Sequence, residues 1–322
     1  MSKKKKNTRS LPKKLYRVRN WSAYDAALVK RGSLTVWISE DAIAGWSAEK
    51  EPGKRGRQRE YSELAIETVL TLKEVYHLTN RGAEGFLRSL FEIMKITLPV
   101  PDHTTLSVRG KNLDIHLPKK QTSSLYIVVD STGLKIYGEG EWKTRKHGIS
   151  KRRTWRKLHL SVNTENGQIE AVALSEAGTA DADAVEPMLA EIDQQIDDYG
   201  ADGAYDKAKV YQKVRNHSPD ADIHIPPRKD ARIWQHGNCK APPHPRDENL
   251  RYIRKHGRPA WKRDSTYHQR SLAETAIFRM KTIFGDKLST RLLETQCTQA
   301  RIRCRALNIM TLLGMPDSQL VA

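Results

Sequence analysis

Apolar positions between residues 61 and 94 recur with the period of two amphipathic helices. Ala65, Val69, Leu72 and Tyr76 are spaced by four, three and four residues, and Ala83, Leu87, Leu90 and Met94 follow the same rhythm. The run "LTNRG" separates them, with Thr79 and Asn80 as caps. Pro99 and Pro101 then end one element, and Asp102 is placed to cap a short third helix carrying Thr105 and Arg109, with Lys111 just beyond it. Three short helices with a basic, hydroxyl-rich last member fit a helix-turn-helix reader of DNA. They also fit a plain helical bundle.

From residue 122 the period changes. "LYIVVD" is a short β-branched run ending on Asp130, and "TWRKLHLSVNTENGQIEAVALS" predicts two strands joined at Asn166-Gly167. The following "GTADADAVEPMLAEIDQQIDDYG" predicts an amphipathic helix buried through Val185, Met188, Leu189, Ile192 and Ile196, with Asp181 and Asp183 serving its start and dipole. A strand closing on Asp202 comes next, then a helix from about Asp206, which caps it, and then the strand "ADIHIPP". Residues 228–266 are polar and show no clear period. A helix-forming run around Glu274 and a basic helix over about 288–313 close the chain. A three-strand meander followed by alternating helices and strands implies an α/β fold: a ribonuclease-H-like mixed sheet flanked by helices, preceded by an all-α helix-turn-helix-like domain. The expected divisions are a disordered basic tail (1–20), a helical DNA-binding domain (21–121) and a catalytic α/β domain (122–322).

Composition narrows the partner. The 322 residues hold 56 Lys and Arg against 38 Asp and Glu, a net charge of +18. Such an excess is costly in a compact fold unless it meets a polyanion, so nucleic acid leads and a membrane surface is the bland rival. The first twenty residues contain basic side chains and no acidic one, suited to lie along phosphates. No long apolar run and no signal-peptide pattern is present, so a cytoplasmic, nucleoid-associated protein is expected, not a membrane one. Cys239, Cys297 and Cys304 form no disulfide framework, and the last two share a helical stripe with Leu293, Ala300 and Leu307 as core thiols.

Three acids stand where chemistry can use them: Asp130 and Asp202 at strand ends, and Glu274 on a helix. Brought together they repel unless cations join them, and clustered carboxylate oxygens favour Mg²⁺ or Mn²⁺. Two such ions about 4 Å apart suit in-line displacement at phosphorus. Any one of these acids alone is better explained as a surface residue. In "YHQRSLAETAIFRMK", read as one helix, Tyr267, Arg270 and Lys281 fall within about 40° of Glu274, opposite Ala273, Ala276, Ile277, Met280 and Phe284. That face is either an ordinary ion-paired surface or a phosphate grip beside the acids.

The spacing Tyr267, Arg270, Glu274, Lys281 resembles the tyrosine-arginine-glutamate-lysine signature of DDE transposases from bacterial insertion sequences. "VVDSTGLK" and "GADGAYD" resemble the first and second aspartate motifs of that group, and the insertion-sequence-five family is the most similar overall. The resemblance implies Asp130, Asp202 and Glu274 as catalytic residues holding two divalent ions. Water-driven cleavage at a terminal inverted repeat and transfer of the freed 3′-hydroxyl to target DNA would follow. Arg270 and Lys281 would hold DNA phosphates, and Tyr267 would pack on the DNA backbone. Because two DNA ends must be joined, it also implies a homodimer or larger assembly. The rivals are a nuclease of the same fold that cuts without joining, and a regulator that binds DNA without chemistry.

Other stretches add contacts rather than chemistry. "KTRKHGISKRRTWRK" reads as a phosphate-gripping loop through Lys143, Arg145, Lys146, Arg152 and Arg153, with Trp142 nearby as a stacking platform and Trp155 more often a core residue. His236, Cys239, His244 and His256 match no standard zinc spacing, and the polar stretch around them is better suited to DNA or a second subunit.

Overall fold

The computed structural model describes residues 15–321, apart from 51, 54, 57, 112, 137–154 and 236–241. Its centre is a six-stranded mixed sheet. The meander β2 (Tyr126–Ile136), β3 (Trp155–Asn163) and β4 (Ile169–Glu176) is antiparallel, and β5 (Asp198–Ala201) and β6 (Asp222–His224) add in parallel, giving the order β4-β3-β2-β5-β6. The β3–β4 turn forms where Asn166-Gly167 predicted it, with Gly167 at φ +70, a conformation that glycine reaches without steric cost.

The long strand β2 has two partners in succession on one edge. β5 pairs with Tyr126–Val129, and the short β7 (Lys287–Leu288) pairs with Lys135 and Ile136. Among the described residues no strand pairs with β2 between those two stretches on that side. This gap in the ladder is where the acids collect.

Side chains alternate across the sheet, so each face has its own core. One face, with Val128, Leu134, Leu158, Leu160 and Val162, packs beneath α4 (Glu63–Val75), α5 (Asn80–Met94), α11 (Ser271–Phe284) and α12 (Leu293–Leu313). The other face, with Ile127, Val129, Tyr199 and Ala201, is covered by α7 (Val185–Leu189) and α8 (Ala208–His217). The predicted stripe residues Ala65, Val69, Leu72, Ala83 and Leu87 are all buried in the first core, which runs without a break from the helical region into the sheet. Buried charge locks the same junction: Glu74 accepts from Lys73 at 2.9 Å and from Arg303 of α12 at 2.7 Å, and Gln299 also reaches it.

Ser62, Thr79 and Asp102 cap α4, α5 and α6 (His103–Arg109) through their side chains. Ahead of them lie α1 (Trp21–Lys30), α2 (Leu34–Trp37) and α3 (Glu40–Ala44).

Several sequence expectations are corrected. The helix predicted after Gly178 is a 3₁₀ turn (Asp181–Asp183) followed by the five-residue α7, although the expected apolar residues are buried. Pro187 lies in its first turn, where proline is tolerated, and beyond the helix Asp197 accepts from the Leu125 N–H at 2.7 Å. The aperiodic stretch contains α9 (Pro245–His256) and α10 (Arg258–Asp264). Its helix signals were Pro245, the acids Asp247 and Glu248 in the first turn, and Arg254, Lys255 and His256 in the last, before Gly257. Leu15–Val18, placed in the disordered tail, is strand β1, which pairs with β8 (Ser318–Val321). Residues 1–14 of that tail lie outside the described residues. Cys304 is buried as expected, and burial pushes its thiol up to about 12. Among the described residues no helix is long and apolar enough to cross a membrane.

Candidate active site

Asp130 follows the last β2–β5 pair, Val129–Ala201, and Asp202 follows on the neighbouring strand. The parallel register therefore sets the two acids side by side as the strands part. Asp202 turns the chain into a 3₁₀ segment (Gly203–Tyr205) and accepts from the Ala204 N–H at 2.9 Å. Asp130 accepts from the Ser131 N–H at 2.8 Å.

The signature run is not one helix. Tyr267–Arg270 is a separate 3₁₀ turn, entered through Thr266 in the left-handed region (φ 55), and α11 begins at Ser271. The 100° reading holds from Ser271 onward, where Ala273, Ala276, Met280 and Phe284 are buried as expected. It fails for Tyr267 because the chain changes its winding before the helix starts.

Arg270, the last residue of that turn, reaches across to β2. Its Nη1 donates to Asp130 at 3.1 Å, and its other amino group donates to Glu274. One guanidinium thus bridges two of the three acids. Burial raises the Asp130 carboxyl above its usual range. The Ser131 N–H and Arg270 oppose that rise, while Asp202 and Glu274 add to it by repulsion. For Arg270, burial works against its charge, and Tyr267, Asp130, Glu274 and Asp202 together hold it on.

Tyr267 is raised by burial and feels the same three acids, with Arg270 opposing. Its ring packs on Trp261 of α10, with centroids 5.3 Å apart, so the helices missed in the sequence form the wall behind the tyrosine. Lys281 donates to the Thr132 hydroxyl at 2.6 Å. Thr132 lies two positions after Asp130 on the same face of β2, which places Lys281 beside the strand rather than against Glu274.

Among the described residues no group of three or more His, Cys, Asp or Glu side chains is gathered as ligands around one point. Asp130, Asp202 and Glu274 share one electrostatic neighbourhood, and Arg270 supplies positive charge within it.

Matches to two family models, both described as Transposase DDE domain, cover residues 122–309 and residues 29–139. The chain belongs to the Transposase DDE domain family. The longer match takes in all three acids and the whole signature. Solved structures similar to the chain include a piggyBac transposase synaptic complex with hairpin DNA, at 8% identity and a TM-score of 0.37, covering 89% of this chain and 75% of that one. A Drosophila P element transposase strand transfer complex matches at 12% identity and a TM-score of 0.28, covering 64% of this chain and 47% of that one.

The remaining expected contacts fall in three places. Lys111 is exposed and lines a cleft of about 590 Å³ with Arg291 between α6 and α12. Arg109 turns inward, donating to the Tyr61 carbonyl at 3.0 Å, and Thr105 gives its N–H to the Asp102 cap at 2.7 Å. Trp142, Lys143, Arg145, Lys146, Arg152 and Arg153 lie outside the described residues, as do His236 and Cys239. His244 packs against Trp234 and Tyr211. Asp206 is not a helix cap. It accepts from buried Arg246 at 2.7 Å and from the Tyr211 hydroxyl at 3.3 Å, while Lys207 precedes α8 without a side-chain cap.

Sequence reasoning missed Ser131, Thr132, Lys157 and Trp261 as neighbours of the site. The side-chain partners of Ser131, Thr132 and Lys157 lie 22 or more residues away in the chain, so no local pattern marks them.

Proposed function

We propose that this DDE transposase binds the terminal inverted repeats of an insertion sequence of the insertion-sequence-five type and carries out strand cleavage followed by strand transfer. The observation that supports this reading is the placing of Asp130 and Asp202 side by side where β2 and β5 part, with the Arg270 guanidinium joining Asp130 to Glu274.

The donor set fits a hard divalent cation. The acids are oxygen ligands, and Asp130 is destabilised in its charged form by burial, with both other acids adding to it. Asp130, Asp202 and Glu274 would hold Mg²⁺ or Mn²⁺, which supplies Lewis acidity for activating water and steadying a leaving oxygen at phosphorus. The chain's own residues do the rest. Tyr267, seated on Trp261, offers an aromatic edge next to the acids, and Arg270 stands ready to take a DNA phosphate in place of a carboxylate. We assign non-specific grip to Lys111, Lys143, Arg145, Lys146, Arg152, Arg153 and Trp142, with Thr105 and Arg109 in the helical reader and Lys281 fixed beside Asp130. The excess of 56 cationic over 38 acidic side chains supports DNA as the partner, and a dimer or larger assembly follows from the need to join two ends.

Purified chain mixed with labelled terminal-repeat DNA and Mg²⁺ tests this. Nicks followed by joined products are expected, and Glu274→Gln abolishes both while DNA binding stays. Nicks without joining would leave a nuclease; shifted DNA without nicks would leave a regulator.

A further inference from the structure

The back of β2 carries a side-chain chain that the front does not use. Asp130 and Thr132 face α11, so Ser131 points through the sheet to the other side. There its hydroxyl donates to Asp181 at 3.2 Å, and the Lys157 ammonium meets the same carboxylate oxygen at 3.1 Å. Lys157 is fixed in turn by the Thr179 carbonyl at 2.9 Å, and fully buried His159 stands 3.8 Å from that oxygen. On the near side, the Ser131 N–H is the donor that holds the Asp130 carboxylate at 2.8 Å. Lys157, Asp181, Ser131 and Asp130 are therefore linked through the sheet.

Asp181 opens a 3₁₀ turn that has no side-chain cap, so its carboxylate is spent on β2 and β3 instead of on its own backbone. Its side chain is 18% exposed, and the lysine balances the charge. The location matters because, among the described residues, β2 has no strand partner on one edge between Val129 and Lys135. A residue there is less constrained by the ladder, and an anchor from behind restores what the missing pairing would supply.

We propose that Asp181 is a positioning residue for Asp130, acting through Ser131 and fixed by Lys157. The proposal rests on the reading of Asp130 as a cleavage carboxylate. It differs from a general stabilising role in that it sets the orientation of one side chain, which governs turnover and leaves DNA affinity alone.

The test compares the full chain with Ser131→Ala, Asp181→Asn, Asp181→Glu and the double variant Ser131→Ala/Asp181→Asn. Ser131→Ala keeps the Lys157–Asp181 pair and so guards against a folding defect. In nicking of terminal-repeat DNA with Mg²⁺, each of Ser131→Ala and Asp181→Asn is expected to lower kcat about tenfold with KM within about twofold, as for other groups that orient a metal-binding side chain. Asp181→Glu recovers part of the loss, and the double variant is no worse than the singles. Unchanged kcat, a loss confined to KM, or losses that multiply would overturn it. Amide hydrogen exchange over residues 130–132 gives a readout free of catalysis: exchange is faster in Asp181→Asn and Ser131→Ala, and unaltered exchange overturns the relay. If the parent chain does not nick, the cleavage reading falls, and the exchange result still decides whether Asp181 anchors this strand.

Discussion

Arg270 donates to Asp130 at 3.1 Å across 140 residues of chain. The same guanidinium donates to Glu274 one turn away, so it takes the position of a counter-ion between two acids. A divalent cation entering there competes with it. Arg270→Gln is expected to bind Mn²⁺ more tightly than the parent, by up to about tenfold, while nicking falls because the phosphate contact is lost. Titration of Mn²⁺ followed by electron paramagnetic resonance reads the affinity directly. Weaker binding in the variant would mean that the arginine helps to gather the acids instead of competing for them.

His159 sets part of the acid limit. Burial pulls its imidazole down to about 4, against the opposing pull of Asp181, so the folded protein holds it neutral. The folded value lies below the unfolded one near 6.5, and the unfolded chain takes the proton first. The stability linked to this group is therefore complete above about pH 6.5 and is lost as pH falls towards 4, at up to about 1.4 kcal/mol per unit. His159→Gln should flatten that limb in urea denaturation measured from pH 7 to 4. An unchanged slope would show that the carboxylates alone set it.

The ion group at Glu74 joins the helical region to α12. Burial alone would raise this carboxyl, but Lys73 and Arg303 outweigh it and hold it low. Arg303→Met leaves a buried acid short of one cation and should cost about 3 kcal/mol in urea denaturation. A loss under about 1 kcal/mol would mean that Lys73 and Gln299 suffice.

Arg246 does the same for the segment behind Tyr267. It pairs with Asp206 and lies 3.9 Å from the Trp234 ring centroid. Arg246→Met should speed limited proteolysis within residues 228–266 before the rest of the chain is cut, since two buried acids, Asp206 and Asp247, lose their cation. Uniform cleavage would place the weak point elsewhere.

What could be read in advance follows the range of the forces involved. The stripes in α4 and α5, the Gly167 turn and the strand end before Asp202 are local patterns, legible because burial on one face imposes a period of 3.6 or 2, whereas Asp130, expected at a strand end, lies within β2, which runs on to Ile136. The helices of 245–264 were legible in their end charges but hidden by a weak apolar stripe. Tyr267 was placed on the α-helix because a change from 3₁₀ to α winding at Arg270–Ser271 leaves no mark in an apolar pattern.

The sequence by itself determined the two helical stripes and the Gly167 turn, which depend on residues near one another in the chain, and it offered Asp130, Asp202 and Glu274 as candidate acids. Only the tertiary structure decided that Arg270 joins Asp130 to Glu274, that Lys281 rests on Thr132, and that Asp181 serves the back of β2 instead of a helix start. A carboxylate at a turn is chemically the same whether it caps its own backbone or reaches a strand fifty residues away. Which partner it takes is settled by the desolvated neighbours that folding brings to it.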